Sequence, residues 1–95
     1  MPSFEGKVAL VTGGSSGIGR IAALRFAQEG AKVVIASRRS EEGNRTVQQI
    51  EEGGGEALFV KTDVSQAVEV EALVNKTLDF FYRKQHQDFV MNRNS

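Results

Sequence analysis

The stretch Thr12-Gly13-Gly14-Ser15-Ser16-Gly17-Ile18-Gly19 joins an apolar run, KVALV, to an amphipathic one, RIAALRFAQEG. Glycine so placed, between a strand that ends and a helix that begins, admits something close to the backbone. A helix N-terminus offers unpaired N–H groups and the positive end of the helix dipole, so a phosphate there accepts several backbone hydrogen bonds. Gly13 makes the turn out of the strand, Gly17 gives close backbone approach, and Gly19 lets the helix pack on the sheet. The hydroxyls of Ser15 and Ser16 can donate to phosphate or ribose oxygens. The competing reading is a Gly/Ser-rich turn that binds nothing. The stretch also nearly fits a P-loop from Gly14 to Gly19, but Arg20 and Ile21 stand where Lys and Ser/Thr are required, which disfavours a magnesium-nucleotide site.

The elements that would carry this loop follow from periodicity. Residues 7–13 read as a buried strand. Gly19, Ala23, Phe26, Ala27 and Gly30 recur at helical spacing, with Arg20, Arg25, Gln28 and Glu29 off the stripe, and Gly30 closes the helix. Residues 31–37 form a second apolar, β-branched run. Ser40 suits the N-cap of a second helix with a weak stripe of Gly43, Val47 and Ile50, stopped by glycines 53–55. Residues 56–63 read as a third strand. Ser65 is expected to cap a third helix bearing the stripe Val70, Leu73, Val74, Thr77, Leu78 and Phe81. Strands alternating with helices imply crossovers, hence an α/β fold: a three-stranded parallel sheet, half of a doubly wound, Rossmann-type domain. The division expected is a dinucleotide-binding half-domain over 1–82 and a polar tail over 83–95.

The chain has 95 residues, enough for one modest core. Lys+Arg and Asp+Glu each number 12, and this balance points to neither a nucleic-acid nor an anionic-membrane partner. With no cysteine, disulfides, thiolate metal sites and a cysteine nucleophile are excluded, and no metal is expected. No apolar run is long enough to span a bilayer and no signal peptide is visible, so the expected location is the cytoplasm. The triplets Asn44-Arg45-Thr46 and Asn75-Lys76-Thr77 read as chance matches on helix surfaces.

In combination, the glycine loop, AKVVIASRR and VKTDVS resemble the TGxxxGxG pattern and following strands of the short-chain dehydrogenase/reductase family, up to about Leu78. The resemblance implies an NAD(P)-dependent oxidoreductase acting on alcohols and carbonyls. It places Gly13, Ser15, Ser16, Gly17, Ile18 and Gly19 at the cofactor diphosphate. The end of the second strand reads the adenosine ribose: a carboxylate there selects NAD, a basic residue accepts the 2′-phosphate of NADP. Ser37 holds the acidic position, Arg38 becomes the phosphate ligand and Arg39 its support, so NADP(H) is favoured over NAD(H). The alternative is a pair of solvated arginines opening a helix. The resemblance also gives Asp63 a hydrogen bond to the adenine amino group, with Val64 nearby; helix capping competes with that role and is compatible with it.

The family's proton relay, a Ser and a Tyr-x-x-x-Lys pair with an Asn, has no counterpart here. Tyr82 is the single tyrosine and is followed four residues later by His86. No catalytic residue is carried over, and His86 reads as solvated. Resemblance stops near LDFFYRK, which implies a truncated or frame-disrupted product. The first strand, central in the parent sheet, then becomes an edge with unpaired N–H and C=O groups, and association through it is expected. Two functions are carried forward: a cofactor-binding portion of an oxidoreductase, not catalytic alone, or a nucleotide-binding or interaction module completed by another chain.

Overall fold

The computed structural model of the chain describes residues 4–13 and 17–85. The elements run β1 (Val8–Thr12), α1 (Gly17–Gln28), β2 (Lys32–Ser37), α2 (Ser40–Glu52), β3 (Ala57–Lys61) and α3 (Ala67–Gln85). The strands form one parallel sheet in the order β1-β2-β3. Its register sets Val11 beside Ile35 and Ile35 beside Phe59. This is the expected half of a doubly wound fold.

Side chains alternate across the sheet, and each face has its own core. Val11, Val33 and Ile35 pack with Ala23 of α1 and Ile50 of α2. On the opposite face Val34, Ala36 and Val60 pack with Leu73 of α3, and Phe80 closes the layer. β2 lies under helices on both faces, so Val33 to Ser37 are all buried. The α1 stripe behaves as expected: Ala23 is buried, with Phe26 and Ala27 packed against the core. Gly30 ends the helix with φ of 98°. On α2, Gly43 and Ile50 are buried with Thr46, whose Oγ1 donates to the Glu42 carbonyl at 3.2 Å. That bond lets a threonine occupy a core position.

Several boundaries differ from the sequence reading. Ser40 is the first helical residue of α2, not its cap; the cap position falls to Arg39, which makes no side-chain capping bond. The reason lies upstream. Ser37 Oγ accepts the Arg39 N–H at 2.9 Å, which turns the chain tightly enough to start the helix one residue sooner. α3 begins at Ala67, and the Ser65 hydroxyl donates to Asp63 rather than closing the helix end. β3 ends at Lys61, two residues short of Asp63. α3 itself continues to Gln85.

β1 is an edge strand, as expected from its topology. α1 and α2 share one sheet face while α3 has crossed to the other. Right-handed crossovers fix what that means: a parallel strand following a helix on the α3 face would lie beyond β1, reversing the direction of sheet growth. Leu10 on β1 is 43 % exposed, and Val74 and Leu78, members of the α3 stripe, are 45 % and 49 % exposed. The stripe is therefore wider than the surface the described sheet can cover.

Candidate functional site

The carboxyl ends of the three strands open into a cleft of about 500 Å³, lined by Thr12 and Gly13, by residues 36–39, and by residues 62–65. Ligands of open α/β sheets sit at this edge. The volume falls within the usual range for small-molecule sites.

Gly13 leaves β1 with φ of 70°, a left-handed conformation that favours glycine, and its N–H donates to the Ala36 carbonyl at 2.8 Å. The turn expected of it is thus made. Gly14, Ser15 and Ser16 lie outside the described residues. Gly17 opens α1 with no positive φ, and a Cβ built on it would meet nothing within 4 Å. Neither backbone strain nor internal packing requires a glycine there. The next residue, Ile18, is 85 % exposed, an apolar side chain that the described residues leave uncovered. Gly19 lies within the first turn of α1 and is half-buried.

At the end of β2, Ser37 is buried and its hydroxyl is turned back to the Arg39 N–H. Arg38 and Arg39 are both exposed and both line the cleft. Arg39 also reaches Glu42, with Nη1 3.4 Å from Oε1. Among the described residues Arg38 makes no ion pair within 4.0 Å. Its charge is nevertheless felt by Asp63 across the cleft.

Beyond β3, Thr62 is buried and ties the loop to β2: its N–H donates to the Ser37 carbonyl at 2.9 Å and its hydroxyl to the Val60 carbonyl at 3.1 Å. Asp63 Oδ1 accepts both the Ser65 hydroxyl, at 2.7 Å, and the Ser65 N–H, at 3.0 Å. These two bonds hold the Asp63 carboxyl below the usual carboxylate range, with a smaller push from the Arg38 charge. Val64, beside it, is 61 % exposed.

The structure therefore brings Gly13, Ser37, Arg38, Arg39, Asp63 and Val64 to one cleft, with Gly17 and Ile18 in the first turn of the helix that follows β1. Tyr82 is not among them. It sits 15 residues after the start of α3, about 22 Å along the helix axis, toward the opposite edge of the sheet. His86 lies outside the described residues.

Two participants escaped the sequence reading. Glu69 Oε1 accepts the Asp63 N–H at 2.8 Å, so a side chain from the first turn of α3 braces the cleft loop. Arg20 lines a neighbouring hollow with Arg39, and no local pattern foretells that pairing.

A dinucleotide fits this arrangement. The amides at the head of α1 and the open space over Gly17 suit a diphosphate, and the exposed guanidinium of Arg38 suits an anionic group on the ribose. The described sheet supplies the walls of one half of such a cleft. The crevice for the other half would lie at the outer edge of β1, where a doubly wound sheet reverses strand order.

The family model described as short chain dehydrogenase matches residues 7–89. An uncharacterised oxidoreductase of Thermotoga maritima is 47 % identical over 81 residues, which is 85 % of this chain and 32 % of that protein. The crystal structure of a metagenomic short-chain oxidoreductase in complex with NADP superposes with a TM-score of 0.79 and 34 % identity, over 83 % of this chain and 36 % of that one. A short-chain dehydrogenase/reductase from Burkholderia phymatum in complex with NAD gives a TM-score of 0.80 and 41 % identity, over 85 % of this chain and 29 % of that one. The chain thus spans about a third of the length of these relatives. With a matching family model, the strand order and the glycine-headed helix in agreement, this chain belongs to the short chain dehydrogenase family of oxidoreductases.

Proposed function

We propose that the chain forms the adenosine-binding part of an NADP(H) site in an oxidoreductase that moves hydride between a nicotinamide and an alcohol or carbonyl. The observation that carries this reading is Gly17: a helical glycine with ordinary backbone angles and empty space where a side chain would stand. A glycine that neither strain nor packing requires leaves the head of α1 open to close approach by a ligand. Gly13, Gly17, Ile18 and Gly19, with Ser15 and Ser16, hold the diphosphate through main-chain amides and hydroxyls. Asp63 and Val64 receive the adenine.

The preference for NADP(H) rests on the end of β2. No carboxylate stands there; Ser37 is buried and its hydroxyl already accepts a main-chain N–H. Arg38 and Arg39 follow, exposed to the cleft. A 2′-phosphate meeting guanidinium groups gains charge-assisted hydrogen bonds that NAD(H) cannot offer. Titration of the purified chain with NADPH and NADH, followed by reduced-nicotinamide fluorescence, tests this. NADPH is expected to bind more tightly, and Arg38→Ala to erase the difference. A preference that survives Arg38→Ala overturns the assignment.

When bound, the cofactor supplies the hydride. Residues of the cleft bind and orient its adenosine end, and among the described residues the single tyrosine, Tyr82, lies away from that cleft. Tyr82 stands about 22 Å from the head of α3 along its axis. We therefore infer that these 95 residues bind cofactor without turning it over. The uncovered β1 edge with Leu10, Val74 and Leu78 supports a second element of the proposal. A further strand, on the same polypeptide or another, pairs there and brings the relay.

A further inference from the structure

Beside the strand-end cleft lies a second hollow of about 500 Å³, walled by the first turn of α1 and the first two turns of α2. Arg20, Arg39 and Arg45 line it together with Ser40, Glu41 and Glu42. Arg39 borders both spaces, so the two meet at the β2–α2 turn. Glu42 engages Arg39 at 3.4 Å and Glu41 engages Arg45 at 3.6 Å. The third guanidinium has no such counterpart: among the described residues Arg20 makes no ion pair. The hollow is thus one cation in excess, and both carboxylates are already occupied by their own arginines.

We propose that Arg20 is a second determinant of the preference for a ribose 2′-phosphate, an inference that rests on the NADP(H) reading above. The dianion at the β2–α2 turn is held by Arg38 from the strand-end side. Arg20 holds it from the α1 side, across the hollow that Arg39 shares. Arg20 and Arg39 stand nineteen positions apart in sequence, and the packing of α1 beside α2 is what joins them. The exposed Arg39–Glu42 and Arg45–Glu41 pairs are of a weak kind. They screen Glu41 and Glu42, which would otherwise repel the incoming phosphate.

The test uses two probes that differ only in the 2′-phosphate, adenosine 2′,5′-bisphosphate and AMP, titrated calorimetrically into the wild-type chain and the Arg20→Gln, Arg20→Lys and Arg38→Ala variants. Arg20→Gln is expected to weaken the bisphosphate about 5- to 10-fold, the loss of one exposed charge-assisted contact, while AMP stays within about twofold. Arg20→Lys is expected to retain part of the preference. Raising salt should narrow the bisphosphate-to-AMP ratio more in the wild type than in Arg20→Gln. An unchanged ratio in Arg20→Gln overturns the role of Arg20 alone, provided Arg38→Ala still collapses the ratio. Equal loss of both probes in Arg20→Gln overturns it too, since that marks a general effect. A wild-type chain that does not distinguish the probes overturns the NADP(H) reading and this inference with it.

Discussion

Gly17→Ala separates folding from binding, because the two should move in opposite directions. The new methyl group has nothing within 4 Å, and the backbone at Gly17 needs no left-handed conformation. Alanine is favoured over glycine by about 1 kcal/mol inside a helix, and at this first helical position a gain of about 0.5 kcal/mol is expected. For a chain of this size that raises Tm by about 2–4 °C. A diphosphate oxygen, however, must come within about 2.9 Å of a main-chain nitrogen to accept its hydrogen. A methyl in the same space holds it off. Losing or lengthening such a charge-assisted bond costs about 2 kcal/mol, close to a 30-fold rise in Kd. Circular-dichroism melting and NADPH titration on one preparation read both quantities. Undiminished NADPH affinity would refute a diphosphate seated over Gly17. A Tm lowered by several degrees would show that the glycine serves packing, against the geometry described here.

Gly43→Ala should behave in the contrary way, since its methyl would collide with the Phe59 ring. Overpacking outweighs the helix propensity gained, and a net loss of about 1–2 kcal/mol is expected by urea unfolding, with cofactor affinity little changed. The depressed pKa of Asp63 makes its bonds to Ser65 a contribution present above the ordinary carboxylate pKa and lost as pH falls through the lower folded value. Stability of the wild type relative to Asp63→Asn should therefore be flat from pH 7 to 5 and decline only in more acid solution; a relative loss between pH 6 and 7 would contradict it. Leu10→Lys places a charge on the open edge of β1. Sedimentation should show less concentration-dependent association than the wild type; equal association would locate the contact elsewhere.

Much of this architecture is written locally. Three short β-branched runs and three helical stripes prescribe the order β-α-β-α-β-α, because periods of 2 and 3.6 report which side chains must face a core. Gly13 and Gly30 mark the turns where the backbone does enter the left-handed region. The family was legible from the glycine loop and the residues ending β2 and β3, and those strand ends do line one cleft. The exact element ends were less so. Ser40 has the chemistry of a cap, yet it is the first residue of α2, and the cap position falls to Arg39, whose own N–H donates to the buried Ser37 hydroxyl. Ser65 likewise looked like a cap and instead binds Asp63.

Tertiary structure alone decided the rest. The α3 stripe is continuous in sequence, but Leu73 is buried while Val74 and Leu78 stay exposed, because sheet coverage depends on which strands are present and not on the helix. Arg20 and Arg39 belong to different elements, and nothing in the spacing of either announces the other. Whether two residues so far apart in sequence meet depends on crossover hand and helix packing. Those are set by the whole sheet, so a local pattern can name the parts of this site but not bring them together.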